Sequence, residues 1–336
     1  MLFDLMTIDK LVERSDLFVY GLVKPALTVI NFFTCNYHSE MPESTYKLLS
    51  QGTPVLFTGL HKSLWETIGV PYILSKEYDL PVPYIVMAHA LVGGKMPHWF
   101  MVHLGADFTK RAGGRGNIDL TKERIQSRLK NRHSVVIFPG MEKGRQKNGV
   151  AKPYETTAFE ALIQMGDTQW NVPFNVDYTR VNELRNLKEI DEFLDTEKHY
   201  MFKLMHIARW LFRNFGDIYV SFGEPIKVTN DMNRRELADY TREKSLDLVK
   251  ILAPNVLSKA MLRLNFDSDG KFDQDELYTH IEDVKKEYVG YADKFRGFDM
   301  DTSPQKIVKI SKLPLDIRWL PTHNIYYNYI SHFPQK

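Results

Sequence analysis

Short apolar runs and longer amphipathic stretches alternate along the chain. Pro54-Val55-Leu56-Phe57-Thr58, Pro83-Tyr84-Ile85-Val86-Met87, Ser134-Val135-Val136-Ile137-Phe138 and Val172-Pro173-Phe174-Asn175-Val176-Asp177-Tyr178 are too short for stable helices. They are rich in β-branched and aromatic residues, so each reads as a strand. Helical periodicity fills the spaces between them, over 63–76, 118–131 and 155–165, and a further strand is predicted over 217–222. Strands alternating with helices predict an α/β fold with a largely parallel sheet covered by helices, and functional residues on loops at the carboxyl ends of strands.

The flanks follow other patterns. Residues 17–34 are mostly apolar, but Lys24-Pro25 interrupts them. A membrane span needs about 20 apolar residues, so this stretch reads either as a bent interfacial helix or as an ordinary core-packing one. Met1 to Met6 carries no basic leader and no small-residue cleavage site, so a cleaved signal peptide is not expected. From His199 to Phe215, Leu204, Met205, Ala208, Leu211, Phe212 and Phe215 share one helical face, and Lys203, His206, Arg209 and Arg213 share the other. That composition suits a headgroup layer. The expected organisation is an N-terminal helical, membrane-interfacial segment (1–45), an α/β domain (46–254) and a small helical region with an aromatic tail (255–336).

Charge sharpens this picture. The 336 residues carry a net charge of only +2, yet Gly105 to Lys152 holds 12 Lys and Arg against 4 Asp and Glu. Lys122, Arg124, Arg128, Lys130 and Arg132 fit a solvated helix face. Arg111, Arg115 and Arg145 instead follow glycine-rich turns, where backbone can approach an anion closely and a guanidinium can grip phosphate in two places. No stacking-aromatic or recognition-helix pattern accompanies them, so nucleic acid is not an expected partner. The single cysteine, Cys35, excludes an internal disulfide and cysteine-rich zinc sites and suits a reducing compartment. His89, His98 and His103 lack the acidic or cysteine partners that would complete a metal set.

Candidate chemistry begins at Gly59-Leu60-His61-Lys62-Ser63-Leu64-Trp65-Glu66. His61 follows a strand and Glu66 falls in the first turn of the next helix, from which its carboxylate can reach back to the imidazole. A carboxylate on one ring nitrogen fixes the tautomer and leaves the other nitrogen free to take a proton. The same residues also read as a capping box, with Ser63 and Glu66 satisfying helix-end amides.

Three further blocks follow in order: Gly105-Ala106-Asp107-Phe108-Thr109-Lys110-Arg111, then Pro139-Gly140-Met141-Glu142-Lys143-Gly144-Arg145 after an apolar strand, then Val172-Pro173-Phe174. Together, over roughly Leu49 to Val228, the four blocks resemble the glycerolipid acyltransferase family, which includes glycerol-3-phosphate and lysophosphatidate acyltransferases. The resemblance implies that His61 and Glu66 are catalytic. It also implies that Lys110, Arg111, Glu142, Gly144, Arg145 and Pro173 form the substrate site, and that acyl-CoA or acyl carrier protein donates a fatty acyl group to a phosphate-bearing glycerolipid acceptor. No cofactor is implied for catalysis. The family's first block usually carries Asp where this chain has Glu66, and Gly140-Met141 looks inserted in the third block. No Gly-x-Ser-x-Gly elbow offers a serine hydrolase instead. With these substrates, the protein is expected to be monotopic or peripheral on the cytoplasmic face of a membrane.

Near the C-terminus, Asn265 to Glu276 fits a 12-residue calcium loop. Asn265, Asp267, Asp269 and Asp273 supply side-chain oxygens, Lys271 a carbonyl and Glu276 a bidentate carboxylate, and Gly270 makes the sharp turn. Phe298-Asp299-Met300-Asp301 lacks the glycine and terminal glutamate of a second such loop. A calcium-responsive membrane-binding protein with an inactive acyltransferase fold is the alternative reading.

Overall fold

The structure, a computed structural model, describes residues 35–62, 66–88, 106–109, 115–139, 153–179, 216–315, 320–328, 330, 331 and 333. The apolar stretch 17–34, the amphipathic stretch 199–215, Lys110, Arg111, Glu142, Gly144 and Arg145 lie outside the described residues.

Eight strands form the main sheet: β1 (Cys35–Glu40), β2 (Leu56–Gly59), β3 (Tyr84–Ala88), β4 (Ala106–Thr109), β5 (Val135–Ile137), β6 (Gln169–Tyr178), β7 (Gly216–Phe222) and β8 (Ile226–Val228). Their order is β1-β7-β6-β2-β5-β3-β4, with β8 also paired to β6. Strands β2 to β6 all run parallel, which places the loops after them at one edge of the sheet. β7 and β8 pair antiparallel with β6, while β1 runs parallel to β7. The sheet is therefore largely parallel, as the alternation of elements predicts, with a reversed wing on one side. β1 was not among the expected strands, since Cys35–Glu40 falls within the segment read as helical. Its register against Gly216–Ser221 is decided by pairing, which a six-residue polar run does not announce.

Helices α1 (Glu43–Ser50) and α2 (Glu66–Glu77) cover one face, burying Leu49, Val70, Ile73 and Leu74 against Phe57, Val172, Phe174 and Val176. The other face is covered by α3 (Arg115–Lys130), α4 (Thr157–Ile163) and α5 (Arg234–Asp247), through Ile125, Leu129, Phe159, Leu162, Leu237 and Ala238. α5 starts where the Asn233 side chain accepts the amides of Arg235 at 2.8 Å and Glu236 at 3.4 Å.

The C-terminal region continues this second core. β9 (Ile251–Leu252) pairs with β10 (Phe295–Arg296), and α6 (Ala253–Met261), α7 (Gln274–Glu287), α8 (Pro304–Ser311) and α9 (Leu320–Asn328) complete the chain. Val256, Leu257, Ala260 and Met261 belong to the same apolar cluster as Leu56, Val135 and Ile125 of the α/β part. Among the described residues, no helix is long and apolar enough to cross a membrane.

Candidate active site

The site forms where β2 gives way to α2. Gly59 ends β2, and a Cβ there would lie 2.5 Å from Cζ of the buried Phe174, so only glycine lets the strand pass this ring. Two residues later His61 is 8% exposed, and Glu66, the first residue of α2, is fully buried. His61 Nδ1 and Glu66 Oε2 are 2.7 Å apart. The backbone amide of Lys62 donates to both carboxylate oxygens at 3.0 Å, and the Tyr178 hydroxyl donates to Oε1 at 3.1 Å. The extra methylene of glutamate is thus accommodated, and its carboxylate serves the imidazole, the Lys62 amide and a tyrosine at once. Ser63, the other member of the capping-box reading, lies outside the described residues.

Burial pushes the Glu66 carboxyl above the usual range, against the opposing pull of the hydrogen bond from His61, its charge and the Lys62 amide. An ionised carboxylate only accepts, so it holds Nδ1 as the donor and leaves Nε2 with its lone pair. The imidazole rests against Phe138 at the end of β5, with ring centroids 4.6 Å apart, and Phe138 in turn meets Phe174 edge-on. The result is an imidazole held by a carboxylate at one nitrogen and backed by an apolar wall.

Parallel pairing fixes where the other blocks start. β5 neighbours β2, so Pro139, which opens the third block, leaves the same edge beside His61. β4, which ends just before Lys110 and Arg111, lies three strands away from β2, roughly 14 Å at the usual strand spacing. Pro173 sits within β6, opposite Thr58 of β2, where the outer partner of β6 changes from β8 to β7. Its carbonyl accepts the Gly223 amide at 2.7 Å, and its ring fills the space a Cβ on Gly223 would need. In this position Pro173 shapes the sheet below the site. Lys62, Asp177 and Tyr178 at the site were not singled out from the sequence. The signal for Asp177 was available, since Asn175 and Asp177 place polar groups on one side of an otherwise apolar strand.

The 12-residue loop links α6 to α7. Gly270 takes the left-handed conformation with φ +75°, and Asp267 Oδ1 accepts the amides of Asp269 at 2.9 Å and Lys271 at 2.7 Å. Asn265 Nδ2 donates to Glu276 Oε1 at 3.3 Å, so the first and last positions meet, while Asp273 caps α7 through the Asp275 amide at 2.8 Å. Among the described residues, no three His, Cys, Asp or Glu side chains are gathered as a metal set. The turn over Asp299–Thr302 is occupied differently: the ammonium of the buried Lys285 donates to the carbonyls of Met300 at 2.8 Å and Thr302 at 2.7 Å.

The sequence profile of the Acyltransferase family matches residues 40–176, which contain the His61–Glu66 pair. Over 239 residues the chain is 25% identical to a glycerol-3-phosphate acyltransferase of Pseudoalteromonas atlantica, a match covering 68% of this chain and 28% of that protein. Over 221 residues it is 25% identical to the dihydroxyacetone phosphate acyltransferase of Homo sapiens, covering 63% of this chain and 31% of that one. The matched region thus spans less than a third of the length of either relative. The crystal structure of the 1-acyl-sn-glycerophosphate acyltransferase PlsC from Thermotoga maritima aligns with a TM-score of 0.42 at 15% identity, over 74% of this chain and 83% of that one.

Proposed function

We propose that this protein transfers a fatty acyl group from the thioester of acyl-CoA or acyl carrier protein to a hydroxyl of glycerol-3-phosphate or a lysophospholipid. The observation that carries the reading is the His61–Glu66 pair at the carboxyl edge of the sheet, inside the segment that matches the Acyltransferase profile. His61 Nε2 takes the proton of the acceptor hydroxyl as its oxygen attacks the thioester carbonyl. The carbon–sulfur bond then breaks, and the thiolate leaves with the proton returned by the imidazolium. Glu66 orients the ring and stabilises its charged form. Lys110, Arg111 and Arg145 hold the phosphate, and Glu142 with Gly144 shapes the pocket. The reaction takes place on a membrane surface, which the basic, aromatic composition of 199–215 supports.

The test is purified protein with a radiolabelled acyl donor against a panel of glycerolipid acceptors. Product is expected with wild type, and His61→Ala is expected to lower the rate by about 10² to 10⁴ while leaving the fold intact. Near-normal turnover in His61→Ala would overturn the general-base reading.

A second proposal concerns residues 265–276: this loop binds calcium through Asn265, Asp267, Asp269, the Lys271 carbonyl, Asp273 and Glu276. It is supported by the oxygen-only donor set, the left-handed Gly270 and the approach of Asn265 to Glu276. Calorimetric titration with calcium should show uptake by wild type and a marked loss in Glu276→Gln. No uptake at millimolar calcium would reduce the loop to a structural turn.

A further inference from the structure

A lysine immediately after a catalytic histidine invites reading as a phosphate ligand. Lys62 is 7% exposed, however, and its ammonium is paired with Asp177, itself 4% exposed. Asp177 Oδ2 accepts from Asn175 Nδ2 at 2.6 Å and from the Lys250 amide at 2.7 Å. Consecutive strand residues face opposite sides of a sheet. Asp177 therefore points away from α2, while Tyr178, beside it, packs in the α2-side core and donates to Glu66 at 3.1 Å. Lys62 straddles the end of β6. Its amide donates to Glu66 on one face and its ammonium grips Asp177 on the other.

We propose that Lys62 is a positioning residue for acyl transfer: anchored on Asp177, it holds the backbone just after β2 so that the Glu66 carboxylate stays on Nδ1 of His61. The inference rests on the general-base reading of His61. A buried ion pair with both members hydrogen-bonded is costly to break from one side, because the remaining charge is left uncompensated. Held this way, the backbone at Lys62 keeps imidazole and carboxylate in contact, with Nδ1 and Oε2 2.7 Å apart. Displacing a reacting group by about 1 Å can cost 10²-fold in rate, whereas substrate affinity, set by other residues, need not change.

The experiment compares wild type, Lys62→Met, Lys62→Arg, Asp177→Asn and the double variant Lys62→Met/Asp177→Asn in the full chain, with His61→Ala as control. Lys62→Met and Asp177→Asn should each lower kcat about 10- to 100-fold with both KM values within about twofold. The double variant should be no worse than either single one, and Lys62→Arg should recover most of the rate. Proton NMR with ¹⁵N-labelled histidine gives a readout independent of turnover. The Nδ1 proton of His61, assigned by its loss in His61→Ala, should be present in wild type and in Lys62→Arg and absent or strongly shifted in Lys62→Met. If Lys62→Met does not fold, the double variant, whose buried pair is neutral, takes its place in both measurements. A raised acceptor KM with unchanged kcat would make Lys62 a phosphate ligand, and an unperturbed Nδ1 proton with wild-type kcat would remove any positioning role; either overturns the proposal. An inactive wild type, or an active His61→Ala, would instead count against the general-base reading, and the NMR comparison would still decide the part played by Lys62.

Discussion

Glu66 is the residue on which local structure and chemistry meet, because one buried carboxylate receives His61, the Lys62 amide and Tyr178. Burial holds its folded-state proton affinity above the unfolded value, so its protonated form favours folding and its ionised form opposes it. The corresponding stability is fully present below the ordinary carboxylate value of 4.5 and is lost as pH rises through the raised one. Glu66→Gln removes this titration and also presents an amide where Nδ1 needs an acceptor. The variant should therefore lose about 10² to 10⁴ in transfer rate. Its melting temperature relative to wild type should rise as pH increases from about 4 toward neutrality, as thermal unfolding across that range would show. A fall in the variant's melting temperature relative to wild type over that range would contradict the assignment. The spacing of His61 and Glu66 was legible along the chain, since a strand end and a first helical turn bring those two together locally. The link from Lys62 to Asp177 and from Glu66 to Tyr178 was not, because more than a hundred residues separate these partners.

At the level of elements, the strand ends set the site and glycine sets how closely they approach. Gly59 faces the fully buried Phe174, whose ring would lie 2.5 to 2.7 Å from an added methyl group. Gly59→Ala should cost about 1–3 kcal/mol through overpacking, and it should displace His61 two residues later. Denaturant unfolding and turnover should both fall. Phe174→Leu combined with Gly59→Ala should recover part of each, since the smaller side chain makes room. An unchanged transition midpoint in Gly59→Ala would show that the ring moves freely. The apolar strands and their helices were predictable because period and composition reveal them. β1 was not, as Asn36–Glu40 alternates exposed and partly buried positions without an apolar run, and Cys35–Glu40 becomes a strand only by pairing with β7.

For the whole molecule, the C-terminal helices share the core of the α/β part rather than forming a separate unit beside it. Glu40, at the end of β1, ties the two together: it accepts from Lys250 Nζ at 2.6 Å and from Arg296 Nη2 at 2.8 Å. Partial burial alone would raise its carboxyl, but the hydrogen bonds and charges of Lys250 and Arg296 hold it below the ordinary 4.5. A depressed folded-state value contributes stability above 4.5 that is lost as pH falls through the lowered one. Wild type should therefore exceed Glu40→Gln in melting temperature at neutral pH, with the difference closing below about pH 4. A difference that persists unchanged into acid would show that the contact does not depend on charge.

Apolar period, the His61–Glu66 spacing and the oxygen-rich loop at 265–276 are local properties, set by side chains within one or two turns of each other. From the sequence by itself they determined the α/β class, the candidate base and its carboxylate, and the candidate calcium loop. Tertiary structure decided the rest. It reversed β1, β7 and β8 against the parallel strands, merged the C-terminal helices into the core, seated Pro173 at a change of strand partner, and buried Lys62 against Asp177. Each of these depends on pairings between distant segments, and a polar or charged side chain does not reveal from its neighbours in sequence which buried partner will satisfy it.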